Sequence, residues 1–216
     1  MKKKYIILIA AVCVIALAAW FLLFKKKEPN VILIVMDAVR PDHLSCYGYE
    51  RETSPFIDSL AAKGIRFTQA VAPAGWTGES VPSILTGTYP PLHDIHAWKQ
   101  KRNPHVSTVA SLLKKRSYRS YFFTHHSPNR FLDITNGFDR VYVSSYSKEN
   151  EEQLNERIVR YMESHVKKPF FMYIHYHGAH MPYKRVPEPY RSMYKNDGLC
   201  KKKGNTDIKR EKPDPY

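Results

Sequence analysis

An aspartate set directly after a continuous apolar run is the first place in this sequence where chemistry could start. Asp37 ends the run Val31–Met36, VILIVM. In open α/β sheets, ligands bind outside the carboxyl ends of strands. A carboxylate there can hold a hard cation through oxygen, and the same residue can equally form a turn. Arg40 either faces a bound anion or makes a surface salt bridge. His175 and His177 follow another apolar run, Phe170–Ile174, as partners behind a reactive centre or as ordinary polar residues of a strand end. Asp139, in Gly-Phe-Asp, reads as a turn residue rather than a ligand.

The elements that must position these groups alternate. Val31–Met36 is apolar and β-branched, the pattern of a strand buried on both faces. A polar loop, Ala38–Glu52, follows. Thr53-Ser54-Pro55 opens a helix carrying Phe56, Ile57, Leu60, Ala61 and Ile65, with Gly64 at its end. Arg66–Val71 reads as a strand, Ser80–Thr86 as a helix closed by Gly87, and Val106–Lys115 as a third helix. Tyr118–Phe123 is a strand, Asn150–Val166 an amphipathic helix with Leu154, Ile158, Tyr161, Met162 and His165 on one side, and Phe170–Ile174 a buried strand. This order predicts an α/β fold: a mostly parallel sheet flanked by helices on both faces.

Before the domain, residues 5–24 form twenty uncharged residues, about 30 Å of helix, enough to cross a bilayer's hydrocarbon core. A basic N-terminus, residues 1–4, precedes this run, and a linker, residues 25–29, follows it. Ala16-Leu17-Ala18 would suit signal-peptide cleavage, but the run exceeds the usual signal core, so a single-pass anchor is the reading taken. Lysines on both flanks leave its orientation open. The formal charge is +14, but the basic residues cluster at the anchor flanks and after Cys200. They form no basic stripe interleaved with aromatics, so nucleic acid is not an expected partner and anionic lipid is. Cys13, Cys46 and Cys200 define neither a disulfide framework nor a zinc site.

Three stretches together resemble the N-terminal half of the sulfatase-like family in the alkaline phosphatase superfamily: NVILIVMDAVRPDHLSCYGY (30–49), TSPFIDSLAAKGIRFTQAVA (53–72) and WTGESVPSILTGTYPPLH (76–93). GFDRVY (137–142) and KPFFMYIHYHGAHMPY (168–183) fit as well. The resemblance implies a hydrolase of sulfate or phosphate esters. Asp37 and Thr77 would be metal ligands, and Thr77, just before the helix leading to Ser83-Ile84-Leu85-Thr86-Gly87, would be the nucleophile. His180, in His-Met-Pro-Tyr, would act near the leaving group, and His125 would bind substrate, with Arg40 a further candidate. A hydroxyl at a helix N-terminus lies in a positive field that suits attack on an anionic ester, and the competing reading of Thr77 is a helix cap.

The sequence departs from sulfatases at four places. Thr77 replaces the Cys or Ser that is converted to formylglycine, Glu79 replaces a Pro, Val81 replaces an Arg, and Ala38 replaces a second Asp. These point to direct hydroxyl chemistry, as in the superfamily's phosphodiesterases and its phosphoglycerol or phosphoethanolamine transferases. The cofactor expected is a divalent metal: calcium for sulfatase-like chemistry, zinc or manganese for phosphotransferase-like chemistry. The substrate would be glycan- or lipid-linked, with the domain (residues 30–195) on the outer side of the membrane. The family's remaining metal ligands lie in a second half, so the polar tail, residues 196–216, reads as a truncation point, in a fragment or in an inactive product.

Overall fold

A computed structural model describes residues 28–97, 100–125, 133–145, 148–166, 169–180, 186–190 and 192–193, with scattered positions between 4 and 20. Four strands make one sheet: β1 (Val31–Met36), β2 (Arg119–Thr124), β3 (Arg140–Val143) and β4 (Phe170–Tyr176). Their order is β1-β4-β2-β3, and every pairing is parallel. The α-helices with described bounds are α1 (Pro55–Lys63), α2 (Thr77–Thr86), α3 (Pro90–His93), α4 (Val109–Lys114) and α5 (Glu151–His165).

The two-residue period of the strands sorts side chains between two cores. Phe122, Phe171 and Tyr173 point to one face and pack with Val81 and Leu85 of α2 and Ala110 of α4. Tyr121, Phe123, Phe170, Met172 and Ile174 point to the other and pack on Leu154 and Ile158 of α5. Helices therefore cover both faces, as the alternation of elements predicts. The α5 helix starts on a capping box: the Asn150 side chain accepts from the Gln153 N–H, and the Gln153 side chain accepts from the Asn150 N–H.

The structure corrects the sequence reading in several places. Val31–Met36 is not buried on both faces. Leu33 and Val35 join the α2–α4 core, while Ile32, Ile34 and Met36 are exposed. Among the described residues the strand lies at the edge of the sheet, and the α5 core there is built on β2 and β4. Arg66–Val71 forms no strand. Among the described residues no neighbouring strand offers it a ladder, and Phe67 and Val71 are exposed. The helix expected at Ser80 starts three residues earlier, at Thr77. The helix expected from Val106 starts at Val109, after Thr108, whose side chain accepts from the Ser111 N–H. Phe56 and Leu60 of α1 are exposed, and polar bonds hold that helix: Asp58 accepts from the Cys46 N–H at 2.8 Å, and Ser54 accepts from the Ser45 N–H at 3.0 Å.

The described positions of the apolar N-terminal run, including Tyr5, Leu8 and Leu17, are helical and exposed. Among the described residues no helix is long and apolar enough to cross a membrane, and most of the expected anchor lies outside them, as does the tail from 196. Leu154 is fully buried against the sheet. Replacing it with Ala should destabilise the chain by about 2–5 kcal/mol, through lost transfer energy and a residual cavity, read as a lowered urea midpoint. A midpoint unchanged from the parent chain would place α5 away from the sheet.

Candidate active site

Parallel strands all end on the same side of a sheet, so the polar residues that follow β1 and β4 come together. The Asp37 N–H donates to the Tyr176 carbonyl at 2.8 Å, carrying the β1–β4 pairing one step beyond the last register pair, Met36 with Tyr176. On β4 the period of two sends Tyr176 to one face and His175 and His177 to the other, both buried. Their rings stack with centroids 4.1 Å apart. Asp37 Oδ2 lies 3.8 Å from His175 Nε2 and 3.5 Å from His177 Nε2. One donor atom from each of Asp37, His175 and His177 falls within 4.8 Å of the others. Carboxylates and imidazoles are side chains that divalent cations take as ligands.

The hydroxyl arrives from the other side. Thr77 is the first residue of α2, and the N-cap position belongs to Trp76, in extended conformation. The Thr77 side chain turns to the sheet instead, and its Oγ1 donates to Asp37 Oδ2 at 3.2 Å. Gly78 follows because the Trp76 ring folds over it: a Cβ there would fall 2.2 Å from ring atoms. Val81 and Leu85 anchor the helix in the core. Buried His93 of α3 accepts the Ile95 N–H on Nδ1 and meets the Ser83 hydroxyl through Nε2 at 2.9 Å, tying α2 to the following turn. Burial lowers the pKa of His93, so it serves as a neutral strut.

Around His175 and His177 lies a further polar layer. The Tyr173 hydroxyl is 3.2 Å from His175 Nδ1. Burial first, and the charge of Asp37 second, push that phenol's pKa well above its ordinary value, so it stays protonated. Glu151, at the start of α5, accepts the His177 N–H at 2.7 Å, a favourable site for negative charge at a helix N-terminus. Burial lowers the His177 pKa, while Asp37 and Glu151 pull the other way. His125 is buried between carboxylates, with Nε2 3.7 Å from Glu149 Oε2 and Nδ1 3.7 Å from Glu151 Oε2. Glu149 in turn takes hydrogen bonds from Arg157 at 2.7 Å and Tyr142 at 3.2 Å.

The expected site residues thus divide. Asp37 and Thr77 touch directly. His125 reaches the same neighbourhood through Glu151 and His177. His180 is exposed just past β4, its N–H donating to the His177 carbonyl; Met181, Pro182 and Tyr183 of its motif lie outside the described residues. Arg40 is exposed and paired with Asp42. Asp139 accepts the Ser120 N–H and faces Lys114 and Arg119. The two-residue spacing of His175 and His177 at a strand end carried a readable signal for a shared face. Glu149 and Glu151, on either side of the α5 N-cap Asn150, drew no reading from the sequence.

A family model described as Sulfatase matches residues 29–206. Iduronate 2-sulfatase of Mus musculus is 26% identical over 207 residues, spanning 76% of this chain and 37% of that protein. The crystal structure of the phosphonate monoester hydrolase of Agrobacterium radiobacter aligns with a TM-score of 0.65 at 19% identity, covering 77% of this chain and 44% of that one. The C-terminal periplasmic domain of EcEptC from Escherichia coli, solved in complex with Zn, aligns with a TM-score of 0.61 at 18% identity, covering 85% of this chain and 50% of that one. The chain spans half or less of the length of each of these relatives, and at these identities the two structures speak to the fold alone. The family match runs from before β1 to beyond β4, through the whole described sheet, and the chain belongs to the sulfatase family.

Proposed function

We propose that this chain carries the nucleophile-bearing part of a metal-dependent hydrolase of sulfate or phosphate esters, acting through the Thr77 hydroxyl. The observation that carries this reading is the 3.2 Å hydrogen bond from Thr77 Oγ1 to Asp37 Oδ2 at the N-terminus of α2. The hydroxyl sits at the positive end of a helix, beside backbone N–H groups that have no intrahelical partner. There an anionic ester would meet donors and a nucleophile together. A divalent cation held by Asp37 and its neighbours would supply Lewis-acid polarisation and a lowered hydroxyl pKa.

In the first step Thr77 Oγ attacks sulfur or phosphorus, an Oγ–S or Oγ–P bond forms, and the bond to the ester oxygen breaks. Asp37 would orient the hydroxyl and accept the proton it gives up, returning it to Thr77 Oγ1 when the adduct is cleaved. His180, exposed just past β4, would protonate the leaving oxygen and take up a proton from the attacking water in the second step. Water then cleaves the Thr77 adduct, releasing inorganic sulfate or phosphate and restoring the hydroxyl. Ala38 and Val81 stand where formylglycine enzymes have Asp and Arg, and Thr77 is not the residue type converted. These residues support direct use of the hydroxyl. They also support a second reading: a transferase of the phosphoglycerol or phosphoethanolamine type, in which another hydroxyl replaces water in the second step. The uncharged run 5–24 between lysine clusters supports a single-pass anchor without fixing its orientation; the family resemblance favours a domain on the outer side of the membrane, near glycan- or lipid-linked esters.

Chromogenic sulfate and phosphate esters offered side by side to the longest form of the protein should show turnover. Thr77→Ala should reduce that turnover at least ~10³-fold with thermal stability retained; full activity in the variant removes Thr77 as nucleophile. A second outcome concerns pH in the metal-free chain. The folded His177 pKa lies below its ordinary value of 6.5, so between the two pKa values the unfolded chain binds more protons. Stability should therefore fall as pH drops below 6.5, by an amount that His177→Gln diminishes, and NMR titration should show the imidazole protonating below 6.5. A pKa above 6.5 would contradict its burial as a neutral ring.

A further inference from the structure

We infer that the amino-terminal end of the sheet is a docking surface for the headgroups of anionic phospholipids, which seats the domain on the bilayer with the candidate active site turned away from it. The inference rests on the single-pass anchor proposed above and deepens it, because it assigns the face of the domain that meets the membrane. All four strands are parallel, so their first residues share one end of the sheet, opposite Asp37 and His177. Three hydrogen bonds tie the chain together there. The Tyr118 hydroxyl donates to the Pro29 carbonyl at 2.8 Å, the Phe170 N–H to Asn30 Oδ1 at 3.3 Å, and the Arg119 N–H to the Pro169 carbonyl at 3.1 Å. The segment that leads out of the uncharged run 5–24 therefore enters the domain at this end. From Phe24 to Val31 the chain can reach at most about 25 Å, so an anchored chain keeps this end within that distance of the hydrocarbon boundary.

Cations are in excess at this end. Lys114, Lys115 and Arg116 close α4 and the turn after it, Arg119 opens β2 and Arg140 opens β3, and all of them are exposed. The carboxylates beside them are Glu28, near the Tyr118 hydroxyl, and Asp139, which Lys114 and Arg119 share at 3.3 and 3.4 Å. Among the described residues no carboxylate pairs with Lys115, Arg116 or Arg140. A Schellman turn fixes the end of α4: the Tyr118 N–H donates to the Leu113 carbonyl at 3.2 Å, the Ser117 N–H donates to the Lys114 carbonyl at 3.0 Å, and Ser117 takes a φ of 65°. Cations also suit the negative end of a helix, but that preference does not extend to Arg119 and Arg140, which open strands. At the other end of the sheet the charge reverses, with Asp37, Glu149 and Glu151 gathered around the buried histidines. Each basic residue held near an anionic lipid surface strengthens binding roughly 5-fold, and Lys25, Lys26 and Lys27 precede the domain directly in sequence. The seven residues of β4 span about 20 Å, so docking at the basic end leaves the candidate active site about that much further from the lipid, open to esters arriving from water.

The test is acetylation of lysine amines in the full 216-residue chain reconstituted into vesicles, read residue by residue by peptide mass spectrometry. Vesicles in which roughly a third of the lipid is phosphatidylglycerol should slow acetylation of Lys114 and Lys115 at least ~3-fold relative to vesicles of phosphatidylcholine alone. About 1 M NaCl, which cuts the Debye length to about 3 Å, should restore the rate. Lys148, exposed beside Glu149 at the opposite end, should react equally in both. Arg116→Glu combined with Arg140→Glu should remove the shielding, and the milder Arg116→Gln with Arg140→Gln should weaken it, with folding checked by circular dichroism. Equal shielding by phosphatidylcholine, shielding of Lys148 instead, shielding that both double variants retain, or none at all would overturn the inference. Shielding by soluble heparin with none from the vesicles would also overturn it, and would assign the surface to a sulfated polysaccharide. Alkaline carbonate extraction reads the anchor separately: a chain stripped from the vesicles refutes the anchor, while salt-sensitive shielding would still uphold the docking surface.

Discussion

The register of β1 against β4 is the constraint on which the site depends. It is carried one residue past β1 by the hydrogen bond from the Asp37 N–H to the Tyr176 carbonyl. Parallel pairing brings the two carboxyl ends to the same side of the sheet. The two-residue period then decides which of the terminal residues meet. A slip of one residue would send His175 and His177 to the α5 face and present Tyr176 to Asp37 instead. The apolar residues upstream hold this register because each has a different core to fill. Phe171 and Tyr173 belong with α2 and α4, and Phe170, Met172 and Ile174 belong with α5. The site is thus precise for the same reason that the sheet is stable.

A second layer of positioning comes from helix starts. The α2 helix begins at Thr77, and its buried Val81 and Leu85 press it against the sheet, so the Thr77 hydroxyl reaches Asp37. Neutral, buried His93 braces α2 through Ser83. The α5 helix begins at Glu151, and its capping box fixes the carboxylate that takes the His177 N–H. Two helices on opposite faces of the sheet therefore point their positive ends at the same strand termini. Such an arrangement favours anions, and in the proposed reaction it favours both an ester substrate and the carboxylates that hold a cation.

Much of this was legible in the sequence. Apolar runs gave β1, β2 and β4, and Leu154 and Ile158 gave the buried face of α5. The order of elements gave the parallel sheet, and the joint motifs gave the family. Asp37 was found because it follows a strand, and Thr77 because the family resemblance puts the nucleophile just before the helix leading to Ser83-Ile84-Leu85-Thr86-Gly87. Other features were not legible because they depend on neighbours. Whether β1 is central or at an edge is decided by other strands, so its exposed Ile32, Ile34 and Met36 could not be foreseen from composition. Arg66–Val71 has strand-like residues, but a strand also needs a partner. The carboxylate cradle of Glu149 and Glu151 around His125 joins residues distant in sequence, and no spacing rule connects them. Arg40 was open between an anion contact and a salt bridge; Asp42, two residues away, takes it as an ion pair.

In the proposed reaction the Thr77 hydroxyl, held on Asp37, makes the covalent bond to the substrate. Rapid acid quench of the longest form of the protein during turnover, followed by mass spectrometry of its peptides, tests it directly. A sulfuryl or phosphoryl adduct confined to the peptide containing Thr77, and absent from Thr77→Ala, is the result expected. Sustained turnover with the adduct on another residue, or with Thr77 unmodified under conditions that trap the intermediate, would contradict it.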